Sequence, residues 1–294
     1  MLQKLFNTLK LNKVTETSKS YAWGVEELIR ATDAINFSAE GLNPHQIDNE
    51  IVIARNLYSK ISRLILKNQS IRHFEPSLIH SVDDDIGPNI FLVELFLSAY
   101  KLAWESSVQV PNPELEDAHY FNVLPGEHYR LLKSIACTLH AKAIVEIGTY
   151  TGMGSIAFSQ GIDEGGTIHT FDIKAWNLFS SHLNKELIDS KKVIQILGDL
   201  SDIDTFNKHS ELLNNANIIF MDAPKDGDFE YKFLSLIQAL KPKENKLLII
   251  DDIRFVNMID LWRSIKSPKL DISSLAHWSG TGLVDISNPL LLAR

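Results

Sequence analysis

Residues 143–155 run an apolar, β-branched segment straight into a glycine-punctuated turn and then an apolar helical pattern. Ala143 to Ile147 has the length and composition of a central parallel strand covered on both faces. Gly148, Gly152 and Gly154 follow, where a chain leaving such a strand must bend sharply and where a missing Cβ would let backbone approach a ligand. Strands are also expected at Thr167 to Ile173, Lys192 to Leu197, Asn217 to Asp222 and Lys246 to Asp251, with helical patterns between them. That alternation predicts an α/β fold with a doubly wound, mostly parallel sheet.

Glycine spacing bears on what the turn holds. A dinucleotide turn reads G-x-G-x-x-G and seats a pyrophosphate on a helix N-terminus. Here the pattern is E-x-G-x-x-x-G-x-G, with Glu146 ahead of Gly148. An acid there would repel a pyrophosphate but suits a cofactor carrying an amino group and a sulfonium cation. Asp172 ends the second strand, where a carboxylate can accept hydrogen bonds from both ribose hydroxyls. The residues point to a cationic adenosyl cofactor.

Acids also gather at the ends of the fourth and fifth strands. Asp222 and Lys225 follow one strand, and Asp251 and Asp252 close the next. In a parallel sheet these ends line one crevice. Three carboxylates there would repel one another unless protonated or bridged by a cation, and all-oxygen ligation favours magnesium, manganese or calcium, with magnesium first. Singly, each acid could cap a helix; together they predict a site.

With these motifs in order, the sequence resembles the class I S-adenosylmethionine-dependent methyltransferases, in the catechol O-methyltransferase-like and macrocin O-methyltransferase-like branches, over roughly residues 120–290. The resemblance implies a seven-stranded sheet, completed by short strands at Leu270 to Leu275 and Thr281 to Ile286. It implies that Glu146, Gly148, Tyr150 and Gly152 hold the methionine part of the cofactor, that Asp172 holds ribose, and that Gly198, Asp199 and Leu200 lie along adenine, with Asp222 also beside the cofactor. It further implies a divalent ion on Asp222, Asp251 and Asp252, and Lys225 as the residue that takes or stabilises the acceptor's proton. Asp252 stands where catechol methyltransferases have asparagine, as in the macrocin-like branch; the extra charge should tighten the cation and argues against a catechol acceptor. His128 and Tyr129, before the first strand, and His277 and Trp278, between the last two, are candidate walls of the acceptor pocket.

The 294-residue chain has 45% apolar and 22% charged residues, as an ordinary globular protein does. A net charge of −8 argues against general binding to nucleic acid. No signal peptide or membrane span is expected, since Met1 to Lys13 is amphipathic and the apolar stretch Asn89 to Tyr100 is short and contains Glu94. A lone Cys137 in an apolar pattern reads as a core residue in a reducing cytoplasm. Helical patterns at Val25 to Ile35, Glu50 to Asn68 and Asn89 to Trp104 predict a helical N-terminal region over 1–119, a lid or oligomer interface, ahead of a cofactor-binding domain over 120–294. Asp83 to Asp85 reads as a solvated loop, and Pro111 and Pro113 mark a linker.

The expected activity is metal-dependent O-methylation of a small hydroxylated molecule by a cytoplasmic homodimer. The alternatives are a metal-independent N-methyltransferase, a nicotinamide oxidoreductase and a non-catalytic cofactor-binding module.

Overall fold

The computed structural model describes residues 86–255 and 258–293. The patterns at Met1 to Lys13, Val25 to Ile35 and Glu50 to Asn68, and the acidic run Asp83 to Asp85, lie outside the described residues. In chain order the elements are α1 (Ile90–Glu105), α2 (Tyr129–Thr138), β1 (Ala143–Ile147), α3 (Met153–Ser159), β2 (Thr167–Asp172), α4 (Lys185–Asp189), β3 (Val193–Leu197), α5 (Ile203–Lys208), α6 (Ser210–Asn215), β4 (Ile218–Met221), α7 (Asp228–Ile237), β5 (Leu247–Asp251), α8 (Met258–Ser264), β6 (Lys269–Asp271) and β7 (Thr281–Asp285). Short 3-10 turns cover Glu116–Asn122, Trp176–Leu178 and Ser273–Leu275. The last of these occupies the second half of the strand expected over 270–275.

The seven strands form one sheet in the order β3-β2-β1-β4-β5-β7-β6. β1 to β5 pair in parallel, and β7 runs antiparallel to both β5 and β6. The order reverses between β1 and β4, so successive crossovers leave in opposite directions from that point. That switch point, at the carboxyl ends of the two strands, is the position where open α/β sheets bind ligands.

Period-two alternation divides the core between the two faces of the sheet. Ile144, Ile218, Phe220, Leu247 and Ile249 face one cluster, with α1, α2 and α3. Val145, Ile147, Ile219, Met221, Leu248 and Ile250 face the other, with Phe233 and Leu234 of α7 and Leu261 and Trp262 of α8. Each such fully buried side chain contributes roughly 1.5–3 kcal/mol of transfer free energy.

Helix α1 shares the first cluster. Leu92, Leu95, Phe96, Ala99 and Ala103 recur at helical spacing and are buried. Its N-cap Asn89 accepts from the Leu92 N–H at 3.1 Å and donates to Asp285 at 2.6 Å. The helix expected over 89–104 therefore packs as part of the sheet's own core. Cys137 departs from expectation: it is exposed. Helix α2 buries Leu131, Leu132, Ile135 and Ala136, and the roughly 100° advance per residue turns the next position outward.

Candidate active site

The glycine turn is held open by the protein's own packing. Gly148 has φ +98°, and a Cβ built on it would strike the carbonyl oxygen of Asp222 where β1 and β4 end side by side. Gly152, at φ +82°, caps α3 and would strike Leu183; a Cβ on Gly154 would strike the Glu146 carboxylate. These glycines are thus required by close approach within the chain as well as by the sharp bend of the turn.

Glu146 is fully buried beneath this turn. One carboxylate oxygen accepts from Ser155, and the other has no hydrogen-bond partner. Burial pushes its carboxyl up to about 7, against the lowering effect of the Ser155 and Thr170 hydroxyls. Because the pKa is raised on folding, stability from this group is full below its unfolded value near 4.5 and declines as pH rises through 7. A shift of that size corresponds to about 3 kcal/mol. Glu146→Gln keeps an acceptor for Ser155 and cannot ionise. Denaturation of the ligand-free proteins at pH 5 and pH 8 should show the wild type losing about 2.5 kcal/mol relative to the variant; parallel pH slopes would contradict the assignment.

Asp172 lies beside the turn. Its two carboxylate oxygens accept from the backbone N–H groups of Tyr150 and Lys174, each at 2.9 Å, which leaves further acceptor capacity on both oxygens. Tyr150 sits at φ +40° with an exposed side chain, its ring 5.0 Å from Phe179. The segment after β2 is tied to the turn: Ser181 donates to the Thr151 carbonyl, and the His182 N–H donates to the same carbonyl at 2.8 Å. Beyond β3, Gly198 and Asp199 are accessible, whereas Leu200 is fully buried in the second core cluster. Leu200 thus packs the core, while Gly198 and Asp199 stay accessible past the end of β3.

At the ends of β4 and β5, Asp222, Asp251 and Asp252 converge on one ammonium. Lys225 Nζ bonds to Asp222 and lies 3.6 Å from Asp251 and 3.1 Å from Asp252. Lys225 and Asp252 hold left-handed backbone conformations, φ +63° and +57°. Glu230, buried in the first turn of α7, explains the first: its carboxylate accepts from the Lys225 N–H at 2.7 Å and the Gly227 N–H at 2.8 Å. The sequence reading missed Glu230; its place three residues past Gly227, in the first turn of a helix, is the signal that could have found it.

Electrostatics in this cluster are strongly unbalanced. Burial and the Asp251 charge push the Asp222 carboxyl up to about 6. Burial opposes ionisation of Lys225, but the carboxylates of Asp222, Asp251 and Asp252 prevail and raise it above its usual range. In this arrangement Lys225 is a charge-balancing ammonium. Burial likewise opposes ionisation of Asp251, and His128 and His277 outweigh it, holding the carboxyl well below its usual range.

The two histidines reach Asp251 through an isolated β-bridge between Gly126 and His277, with Gly126 N–H on the Ala276 carbonyl at 2.9 Å. His277 Nδ1 is 2.8 Å and His128 Nδ1 3.3 Å from Asp251 Oδ1, while His277 Nε2 is 3.0 Å from Glu127. Burial lowers the His277 pKa, but hydrogen bonds to Asp251 and Glu127 dominate and push it up to about 10. Ser279 donates to Asp252. Tyr129 is raised well above its usual range by burial and then by the nearby carboxylates. Trp278 is exposed, 5.9 Å ring to ring from His277. Sequence reasoning gave the histidines only to an acceptor pocket; the bridge that brings them to Asp251 is a long-range pairing with no local signature.

This seven-stranded sheet, mostly parallel with one antiparallel hairpin, has the α/β Rossmann-like methyltransferase fold that the resemblance implied. Residues 119–259 match the model of a family described as O-methyltransferase. No curated protein matches the sequence. Among solved structures, the chain is similar to an O-methyltransferase from Bacillus cereus in complex with SAH, at 16% identity over 69% of this chain and 91% of that one, with a TM-score of 0.38. The O-methyltransferase TomG from Streptomyces achromogenes, involved in tomaymycin synthesis, in complex with SAM, gives 15% identity, coverage of 71% and 92%, and a TM-score of 0.38. MycE, a methyltransferase of the mycinamycin biosynthetic pathway in complex with Mg and SAH, gives 20%, 43%, 33% and 0.31 in the same order.

Proposed function

We propose that the protein transfers a methyl group from S-adenosylmethionine to a hydroxyl of a small molecule, a sugar, phenol or secondary metabolite, with a divalent ion, magnesium first, on Asp222, Asp251 and Asp252. One observation carries this reading: three carboxylates from two adjacent strand ends surround a single cation position, directly beside the glycine turn whose Gly148 abuts Asp222. The donor set fits a hard divalent ion, since it is oxygen-rich, partly buried and over-charged for one lysine.

When bound, the ion would lower the acceptor's pKa and the cofactor would supply an electrophilic methyl. The chain's residues do the rest. Asp172 would hold the ribose hydroxyls, Gly198 and Asp199 would border the adenine, and the Glu146–Tyr150 turn would flank the methionine part. Lys225, tethered through Glu230, would stand as a cation beside the acceptor oxygen and stabilise the charge left when its proton departs. Tyr129 and Trp278 would border the acceptor. Transfer of labelled methyl to a hydroxylated acceptor should stop on exhaustive chelation and return with added Mg2+; turnover indifferent to chelation would favour a metal-independent N-methyltransferase.

Asp172→Ala should weaken S-adenosylmethionine binding by about 1.5–3 kcal/mol, the loss of hydrogen bonds to a charged group, with the fold retained. Calorimetry would check this; unchanged affinity would remove Asp172 from the site.

The N-terminal region is proposed as lid or dimer interface of a cytoplasmic enzyme that binds neither nucleic acid nor membrane. On α1, Ile90, Leu97 and Trp104 repeat at seven-residue spacing and are exposed, a stripe suited to a partner surface. Among the described residues no helix is long and apolar enough to cross a membrane. Deletion of residues 1–85 spares the α1 core and should leave cofactor affinity within about threefold, below ~0.7 kcal/mol, while abolishing acceptor methylation. Full turnover with unchanged oligomeric state in the truncated protein would overturn the proposal.

A further inference from the structure

The imidazoles beside Asp251 give this site nitrogen donors that the three carboxylates alone would lack. We infer that His277 Nδ1 and His128 join Asp251 and the other carboxylates as ligands of the divalent ion, that Glu127 positions His277, and that the site therefore binds a borderline transition ion such as Co2+ or Zn2+ more tightly than Mg2+, whichever ion supports turnover. The inference rests on the metal-dependent reading above.

His277 has the two-sided environment that metal-binding histidines share. Its Nε2 is 3.0 Å from the Glu127 carboxylate. Its Nδ1 faces inward, 2.8 Å from Asp251 Oδ1 and 3.5 Å from Asp252 Oδ1. A carboxylate on the outer nitrogen fixes the tautomer and aims the inner nitrogen at the ion. His128 approaches the same Asp251 oxygen from another segment, its Nδ1 at 3.3 Å and its ring 4.9 Å from that of His277. His128 is 1% exposed, and its Nε2 has no hydrogen-bond partner. One ligand atom from each of His128, Asp251 and His277 lies within 4.8 Å of the others. At bonds of about 2.1 Å, atoms sharing one ion sit roughly 3–4 Å apart, so shifts of under about 1 Å close the set.

The scaffold holds these groups from three directions: the end of β5, the segment entering α2, and the hairpin leading to β7. Backbone pairing of Gly126 with Ala276 and Trp278 locks the last two together. Mixed nitrogen and carboxylate donors favour the later divalent ions of the first transition row, whereas magnesium prefers oxygen and water alone.

The test uses full-length protein stripped of metal. Mn2+ bound to the wild type should show nitrogen-14 coupling in pulsed electron paramagnetic resonance. Co2+ should bind at least about tenfold tighter than Mg2+, in line with mixed-donor selectivity. His277→Ala should lower Co2+ affinity and alter its visible spectrum; Glu127→Gln should weaken Co2+ binding by roughly 10–100-fold with the spectrum retained. Bound Mn2+ without nitrogen coupling, or Co2+ affinity untouched in both variants, would overturn the inference and leave an oxygen-only ion on the three carboxylates. Failure to bind any divalent ion would instead overturn the metal-dependent reading itself. Resonance on the wild type keeps the inference falsifiable even if a variant fails to fold.

Discussion

Replacing Asp251 with asparagine is expected to lower methyl transfer by roughly a thousandfold, the rate equivalent of about 4 kcal/mol of transition-state stabilisation, while S-adenosylmethionine affinity stays within about threefold. Asp251 is the hub of the site, within 3.6 Å of the Lys225 ammonium and also facing His128 and His277. Asparagine keeps the shape and one acceptor but removes the charge that balances those cations. In the ligand-free protein the Lys225 and His277 pKa values should fall, since the Asp251 charge helps to raise both. Single-turnover kinetics with labelled cofactor, alongside calorimetry, separates the two effects; a variant with wild-type turnover would remove Asp251 from the chemistry.

Gly148→Ala should destabilise the protein by about 2–5 kcal/mol, combining a left-handed backbone cost with overpacking, and should abolish cofactor binding in whatever remains folded. The added methyl has nowhere to go, because the Asp222 carbonyl already fills the space. Relief requires β1 and β4 to part at their carboxyl ends, which would move Asp222 and the glycine turn together. Thermal denaturation and cofactor titration read this directly. A stable variant with unchanged binding would show that the close approach between the two strands is dispensable.

Much of this was legible in the residues because it is local. Apolar runs such as Ile144 to Ile147 and Leu247 to Ile250 are buried on both faces of the sheet and mark their strands directly. The acids at strand ends were legible because a parallel sheet brings successive carboxyl ends to one edge. The glycines were legible as a sharp turn, but the contacts with Asp222, Leu183 and Glu146 that also require them come only from tertiary structure. Cys137 was misplaced because an apolar neighbourhood does not say which side of a helix a residue takes. Leu200 reads like a crevice residue from its position after β3, yet its side chain turns into the core. Glu230 and Glu127 escaped notice because their roles depend on backbone turns and on a bridge between Gly126 and His277, far apart in the chain.

The central claim is that Asp222, Asp251 and Asp252 hold a divalent ion beside the cofactor. It is tested most directly by anomalous diffraction from crystals of the full chain grown with S-adenosylhomocysteine and Mn2+. The account predicts a single strong peak about 2.0–2.3 Å from carboxylate oxygens of these residues, with Lys225 Nζ displaced from among them and the cofactor's ribose on Asp172. A fully loaded cofactor site with no peak there, and Lys225 still bonded to the three carboxylates, would contradict it.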